Sequence, residues 1–340
     1  MGLENTKFTV GHGKRGAKNL ITDVAGVTVG HVTLTDGDTM HTGVTVIRPR
    51  AGNLFEQKVM AASYVFNGFG KTVGLVQIDE LGTIETPIVM TNTLSVGTAS
   101  TALVKYMLSQ NQEIGRKAGT VNPVVCECND GSLNDIRALF VKEEHVFEAL
   151  ENCASDFAEG AVGAGTGMSC LGFKGGIGSA SRVITLDGKD YVVGALVLSN
   201  FGSAGRLMID GRQVGREIQE KIENTPDKGS IIMILATDIP LSERQLKRVA
   251  KRAGVGLSRT GSYMGHGSGD IAIAFSTANP VPLSSESDFL SVQVLADGKI
   301  DPVFDATAEA VEEAIVSSLY HAETTVGREG KVRRGLREYL

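Results

Sequence analysis

Short apolar runs separated by glycine turns recur along most of the chain, a pattern of many strands closed tightly at their ends. The stretches VAGVTVGHVTL and HTGVTVIRP within residues 20–50 predict strands, as do TVGLVQID at 72–79 and ETPIVMTN at 85–92. Helical spacing follows over 96–111, and TVNPVVCECND at 120–130 predicts a strand ending in polar residues. A helix is predicted over 142–154, KEEHVFEALENCA. The densest glycine region is EGAVGAGTGMSCLGFKGGIGSASRVI at 159–184, and the strand DYVVGALVLSN follows at 190–200.

Further on, NTPDKG at 224–229 has the composition of an exposed loop, and the apolar run Ile231–Ala236 after it predicts a buried strand. Between loop and strand stands one small nucleophile, Ser230, directly after Gly229. Ser242 and Gln245 form a capping box for a helix whose apolar stripe is Leu246, Val249, Ala250 and Ala253. Its Lys247, Arg248, Lys251 and Arg252 are read as a solvated face rather than an anion site. DIAIAFST at 270–277 predicts a strand. Residues 305–325 predict an amphipathic helix with Ala308, Val311, Ile315 and Leu319 on one side. No internal repeat and no Pro- or Ser-rich linker divides the chain, so the pattern predicts one α/β domain, a mixed sheet system covered by helices.

Composition narrows the classes. The 340 residues carry 33 basic and 39 acidic side chains, a net charge of −6 that gives no support to a nucleic-acid or anionic-membrane partner. Trp is absent and aromatics are 5%, which argues against base-stacking platforms. Glycine numbers 42, well above the usual share of about 7%, and it clusters between apolar runs as close backbone approaches require. The cysteines are Cys126, Cys128, Cys153 and Cys170. Cys126-x-Cys128 is too tight for a zinc knuckle and has no His pair nearby, so free thiols of a reducing compartment are expected. MGLENTKFTV lacks the basic start and apolar run of a signal peptide; it fits the myristoylation pattern, but no polybasic segment follows. No apolar stretch approaches the about 20 residues that span a bilayer. The expectation is a soluble, cytoplasmic protein.

Phosphate cradles fail on spacing. NGFGKT at 67–72 ends like a P-loop, but the first glycine of that motif would fall on Val65. Gly163-x-Gly165 would need a third glycine where Met168 stands. None of His12, His31, His41, His145, His266 and His321 lies in a metal motif, and no G-x-S-x-G elbow occurs. A serine nucleophile then needs another base. Its own α-amino group serves if it becomes the first residue of a chain, since that amine titrates at about 7.7–8.0. Gly229-Ser230 could supply this by an N-to-O shift of the peptide followed by ester hydrolysis. Taken by itself the pair also reads as a turn feeding a strand.

HGSGDIAIAFST, ECNDGSLNDI, GAGTGM, KGGIGSASR and ATDIPLSERQLKRVAKR together resemble the DmpA family of self-cleaving serine aminopeptidases. That family includes L-aminopeptidase/D-Ala-esterase/amidases and β-aminopeptidases. The resemblance runs from NLITDVAGVTVGH at 19–31 to the C-terminal EEAIVSSL helix. It implies an αββα sandwich, similar in layout to N-terminal-nucleophile hydrolases but differently connected. It implies a precursor cut at Gly229–Ser230 into fragments 1–229 and 230–340, with Ser230 the nucleophile of self-cleavage and of hydrolysis. Ser268 and Asp270 match the family's Ser-x-acid motif, and Asn200 its oxyanion-stabilising asparagine. Glu127 matches the glutamate that receives the substrate's free amine. Asn129 stands where some members carry a tyrosine, which puts a tyrosine-assisted oxyanion contact in doubt here. Asn134 and Asp135 match as well, with a structural role open. The resemblance further implies a homo-oligomer, a tetramer of processed heterodimers, with no metal or organic cofactor.

The activity it implies is release of N-terminal L-, D- or β-residues from short peptides, amino-acid amides or esters through an acyl-Ser230 intermediate. Two other readings compete. One is an acyltransferase of the ornithine-acetyltransferase architecture, which uses threonine. The other is a non-catalytic binding or assembly member.

Overall fold

A computed structural model of the chain describes residues 9–218 and 229–340. Most of the loop expected at 224–229, and the start of the N-terminal segment, lie outside the described residues. The first half runs β1 (Thr28–Asp36), β2 (Met40–Arg48), β3 (Gln57–Gly68), α1 (Leu75–Leu81), β4 (Thr83–Ile84), β5 (Ile88–Asn92), α2 (Val96–Gln110), β6 (Val124–Cys128) and α3 (Glu143–Glu151). The second half continues with β7 (Ser169–Cys170), β8 (Phe173–Lys174), β9 (Gly176–Leu186), β10 (Lys189–Asn200), α4 (Val214–Glu217), β11 (Gly229–Thr237), α5 (Glu243–Arg259) and β12 (Ser268–Pro282). It closes with α6 (Asp301–His321) and the short pair β13 (Thr325–Val326) and β14 (Val332–Arg333).

Two mixed sheets form the body: β1-β2-β5-β6, and β4-β3-β12-β11-β10-β9. Three buried clusters show how they stack. Ile47, Met90, Cys126 and Cys128 of the first sheet meet Leu196, Ile232, Ile234 and Ile273 of the second. The outer face of the first sheet, Val44, Val46, Val89 and Val125, is covered by Ala99 and Leu103 of α2 and Val146 and Leu150 of α3. The outer face of the second, Ile231, Met233, Leu235 and Ala274, is covered by Val249 and Ala253 of α5 and Val311 and Ile315 of α6. The order is therefore helix, sheet, sheet, helix, the expected αββα sandwich. A strand buried on both faces reads as a continuous apolar run, which is why Ile231–Ala236 does not alternate.

Three elements depart from the sequence pattern. TVGLVQID, predicted as a strand, is α1. Gly74 and Gly82 bracket it in left-handed conformations (φ 96° and 65°), and within it Ile78 is buried while Val76 faces solvent. A short apolar run does not distinguish the two elements by period alone. The 12-residue β3 has no predicted counterpart, because its centre, Ala61-Ala62-Ser63, is made of small residues with little strand preference. The amphipathic helix is real but buried nearly all round. Glu309, Glu312 and Glu313 lie in the interior beside its apolar residues.

Those carboxylates have partners. Arg182, at the end of the KGGIGSASR run, gives Nε to Glu309 and Nη1 to Glu313, each at 2.7 Å, and is itself 1% exposed. Arg15 pairs with Glu313 at 2.9 Å, and the His12 and Gly13 amides donate to Glu309, which straps the N-terminal segment onto α6. The capping box is formed as expected: the Gln245 amide donates to Ser242 Oγ and the Ser242 amide to Gln245 Oε1. On the basic face of α5, Arg252 lies over the Phe304 ring at 4.1 Å and Lys247 pairs with Asp79 at 3.3 Å. Cys126, Cys128 and Cys170 are buried thiols outside any disulfide, and burial pushes Cys126 up to about 12. Among the described residues no helix is long and apolar enough to cross a membrane.

Arg182→Ala removes the buried guanidinium that two interior carboxylates share, and breaking a buried pair from one side costs about 3–5 kcal/mol. A fall of that size in unfolding free energy is expected in a urea titration. A change below about 1 kcal/mol would mean that the cluster is solvated and does not fasten α6 to β9.

Candidate active site

β10 ends at Asn200, β11 begins at Gly229, and their pairing sets Asn200 opposite Ser230. On the other side β11 runs parallel to β12, setting Gly229 beside Ser268 and Ser230 beside Gly269. Even-numbered residues of β11 face the gap between the sheets, and so does Ser230. There a cavity of 610 Å³ opens, with Ser230, Asn200, Glu127 and Asn129 in its lining. The Gly269 amide donates to Ser230 Oγ at 3.1 Å, which fixes the hydroxyl. A side chain at 269 would crowd it, since a Cβ there would stand 3.1 Å from Oγ.

Gly229 has a φ of 146°, open in practice to glycine, and a Cβ on it would fall 1.8 Å from the Asn200 carbonyl oxygen. The residue before Ser230 must therefore be glycine in this chain fold.

The Asn200 side chain is held from both ends. Its Oδ1 accepts from the Ser169 amide at 2.9 Å, and its Nδ2 donates to the Asn129 carbonyl at 3.0 Å. That assigns the amide orientation and leaves one N–H of Nδ2 for the cavity. Ser169 owes its position to Lys174. The wholly buried Lys174 ammonium donates to the carbonyls of Gly165, Met168 and Gly175 at 3.0, 2.8 and 2.7 Å. Burial pulls Lys174 down to about 7, opposed by the nearby Asp130 charge. Asp130 in turn is pushed up to about 6 by burial, against hydrogen bonds from Thr42 and Asn134.

Glu127 is 3% exposed on β6. Its Oε1 accepts from the Lys71 amide at 2.8 Å, and its Oε2 accepts from the Thr93 hydroxyl. A carboxylate has about four acceptor sites, so two remain for a ligand. The Lys71 ammonium is drawn over the Phe69 ring at 4.4 Å.

Ser268 and Asp270 form a pair, with Ser268 Oγ donating to Asp270 Oδ1 at 2.7 Å. Alternation along β12 puts them on the face opposite Gly269, and neither is among the cavity-lining residues. In the register Ser268 stands beside Gly229 and Asp270 beside Ile231, so they flank Ser230 along the neighbouring strand rather than meeting its hydroxyl. Asn129 is exposed at the rim, its Oδ1 accepting from the Gly131 amide at 2.8 Å. Asn134 is structural, accepting from the His41 amide at 3.1 Å and donating to Asp130 at 3.1 Å. Asp135 caps the turn that follows it. Lys71, Thr93, Ser169, Lys174 and Arg333 were not foreseen. Most act through backbone atoms or lie far away in sequence, so no local pattern marks them. A lysine beside glycines in KGGIGSASR was the one available signal.

A layered αββα body with a serine at the start of a central strand has the layout of the N-terminal-nucleophile type of fold. The comparisons agree. The model of Peptidase family S58 matches residues 19–333. The beta-peptidyl aminopeptidase BapA of Sphingosinicella microcystinivorans is 42% identical over 342 residues, covering 94% of this chain and 85% of that protein. A crystal structure from Pyrococcus horikoshii OT3 superimposes with a TM-score of 0.95 at 54% identity, covering 99% of this chain and 96% of that one. The L-aminopeptidase D-Ala-esterase/amidase of Ochrobactrum anthropi, described as a prototype for the serine aminopeptidases and a new variant among the Ntn hydrolase fold, gives a TM-score of 0.89 at 38% identity, covering 96% and 94%. This chain belongs to peptidase family S58, and with it to the serine aminopeptidases.

No histidine lines the cavity among the described residues. His31 is instead a neutral structural group. Desolvation lowers it from 6.5 to about 4, partly offset by its contact with the Ala158 carbonyl. Its Nδ1 lies 2.9 Å from Thr45 Oγ1. The unfolded chain takes up this proton near 6.5 and the folded chain near 4, so its contribution to stability is complete above 6.5 and lost as pH falls through that window. In denaturant titrations from pH 7 to 4, His31→Gln is expected to lose stability less steeply than the parent. Equal slopes would contradict the assignment.

Proposed function

We propose that Ser230 is the nucleophile twice over, first on its own chain and then on the substrate. In the precursor, Ser230 Oγ attacks the Gly229 carbonyl carbon, the C–N bond breaks, and the acyl group passes from nitrogen to oxygen. Water then hydrolyses the ester, leaving a Gly229 carboxylate and a free α-amine on Ser230, with fragments 1–229 and 230–340. Gly229, where φ is 146° and a Cβ would have no room, leaves the carbonyl carbon unobstructed by a side chain, which supports this step. Ser268, beside Gly229, and Asp270, which accepts from the Ser268 hydroxyl, suit the orientation and charge balance of the new amine.

In the mature enzyme that amine takes the hydroxyl proton as Ser230 attacks the substrate carbonyl. The spare N–H of Asn200 meets the developing oxyanion. Glu127 receives the free amine of the substrate, which restricts the enzyme to unblocked N-termini. The relatives' naming as beta-peptidyl aminopeptidases supports including β-residues among the acyl groups, on short peptides and amino-acid amides. The observation that carries the reading is the common lining of one cavity by Ser230, Asn200 and Glu127.

A homo-oligomer fits the exposed apolar arm with Phe289 (85% exposed), Leu290, Val292 and Val294, and native mass measurement decides whether it is the tetramer. Cytoplasmic residence fits the free thiols; fractionation of the source cells would decide that.

Turnover of amino-acid p-nitroanilides tests the roles. Ser230→Ala is expected to abolish release. Asn200→Ala should lower kcat by about 10²–10³-fold. Glu127→Gln should act chiefly on KM, and N-acetylated substrate should resist cleavage. Parent-like turnover by Ser230→Ala would end the proposal.

A further inference from the structure

We infer that Arg333 recognises the carboxylate of the residue released, so that this cleft favours short peptides with a free C-terminal carboxylate, dipeptides first. The inference rests on the roles proposed for Ser230 and Glu127.

Arg333 lines the cavity from β14, whose partner is β13. That hairpin is fastened to the rim. The Arg328 amide donates to the Leu133 carbonyl at 2.8 Å, and the Lys174 amide to the Arg334 carbonyl at 2.9 Å. Its neighbours among the cations are neutralised: Arg328 by Glu329 at 2.6 Å, Lys331 by Glu329 at 2.9 Å and Arg334 by Glu338 at 3.1 Å. Among the described residues no carboxylate pairs with Arg333. Its guanidinium gives one bond, from Nη1 to the Val332 carbonyl at 3.2 Å. A half-buried arginine on a cavity wall with most of its donors unspent is suited to a planar, anionic ligand.

The charge layout supplies the direction. Glu127 is held by Lys71 and Thr93, while the hairpin of Arg333 is bonded to Leu133, next to Ser132, and to Lys174, the strand partner of Ser169. Asn200 links the two groups, bonded to Ser169 and to Asn129 two residues from Glu127, and Ser230 is paired with Asn200, where the scissile carbonyl must sit. A dipeptide carries its ammonium on one side of that carbonyl and its carboxylate on the other, within a few bonds of each. With the ammonium on Glu127, the carboxylate points toward Arg333. The 610 Å³ cavity is of the size that encloses such a ligand. A substrate lacking the carboxylate leaves Arg333 desolvated and unpaired, a source of selectivity.

The test compares one dipeptide with its C-terminal carboxamide, in the parent enzyme and in Arg333→Gln, by chromatography of the released residue. The reading is the ratio of kcat/KM for acid over carboxamide, which corrects for any loss of folded enzyme. The parent should prefer the acid. Arg333→Gln should lower the ratio by about 10–100-fold, the range of a charged hydrogen bond, through KM. Arg333→Lys should restore part of it. An unchanged ratio in Arg333→Gln, or a parent that prefers the carboxamide, overturns the assignment of Arg333 and leaves the Ser230 mechanism standing. A parent that cleaves neither substrate overturns both.

Discussion

The parallel pairing of β11 with β12 is the constraint on which the cleft depends. It sets Ser230 against Gly269 and the Gly229 peptide against Ser268. A slip of one residue would turn Ser230 toward the helices and bring a side chain, Ser268 or Asp270, against its hydroxyl. The pairing is held on both flanks, because β10 is antiparallel to β11 and β3 is antiparallel to β12. Apolar burial on both faces then fixes which residues point inward. A chemical site made of one hydroxyl, one amide and one backbone bond needs this rigidity, since each group is useful within a narrow geometry.

The glycine excess has the same origin. Four layers in 340 residues require close approach of backbones, and a methyl group at several positions would collide with main chain. Gly178 of β9 shows it: a Cβ there would stand 2.0 Å from the Ala314 carbonyl of α6. The helix lies directly on the strand, and Arg182 with Glu309 and Glu313 fastens the two further along. After the proposed cut, that cluster would join the two fragments.

Much of the fold was legible because its signals are local. The Ser242 and Gln245 box, the apolar run after Gly229 and the strand ending at Asn200 each carry their period or cap in a few consecutive residues. α1 was not legible, because seven residues between two glycines suit a strand as well as a helix until Ile78 is seen to be buried alone. At the site, Ser230, Ser268, Asp270, Asn200 and Glu127 were reached through the resemblance, with Gly229-Ser230 adding a chemical reason. The supporting residues were out of reach for a physical reason. Lys71 holds Glu127 by a main-chain amide, and Lys174 holds three carbonyls, so their contribution depends on how the chain folds back.

The central claim is that the Gly229–Ser230 bond is broken by the serine it contains. The most direct measurement is the denatured mass of freshly purified protein beside a Ser230→Ala variant. The account predicts two species, matching residues 1–229 and 230–340, in the parent and one full-length species in the variant. A parent that stays whole after long incubation, or a variant that is cut at the same bond, would contradict it.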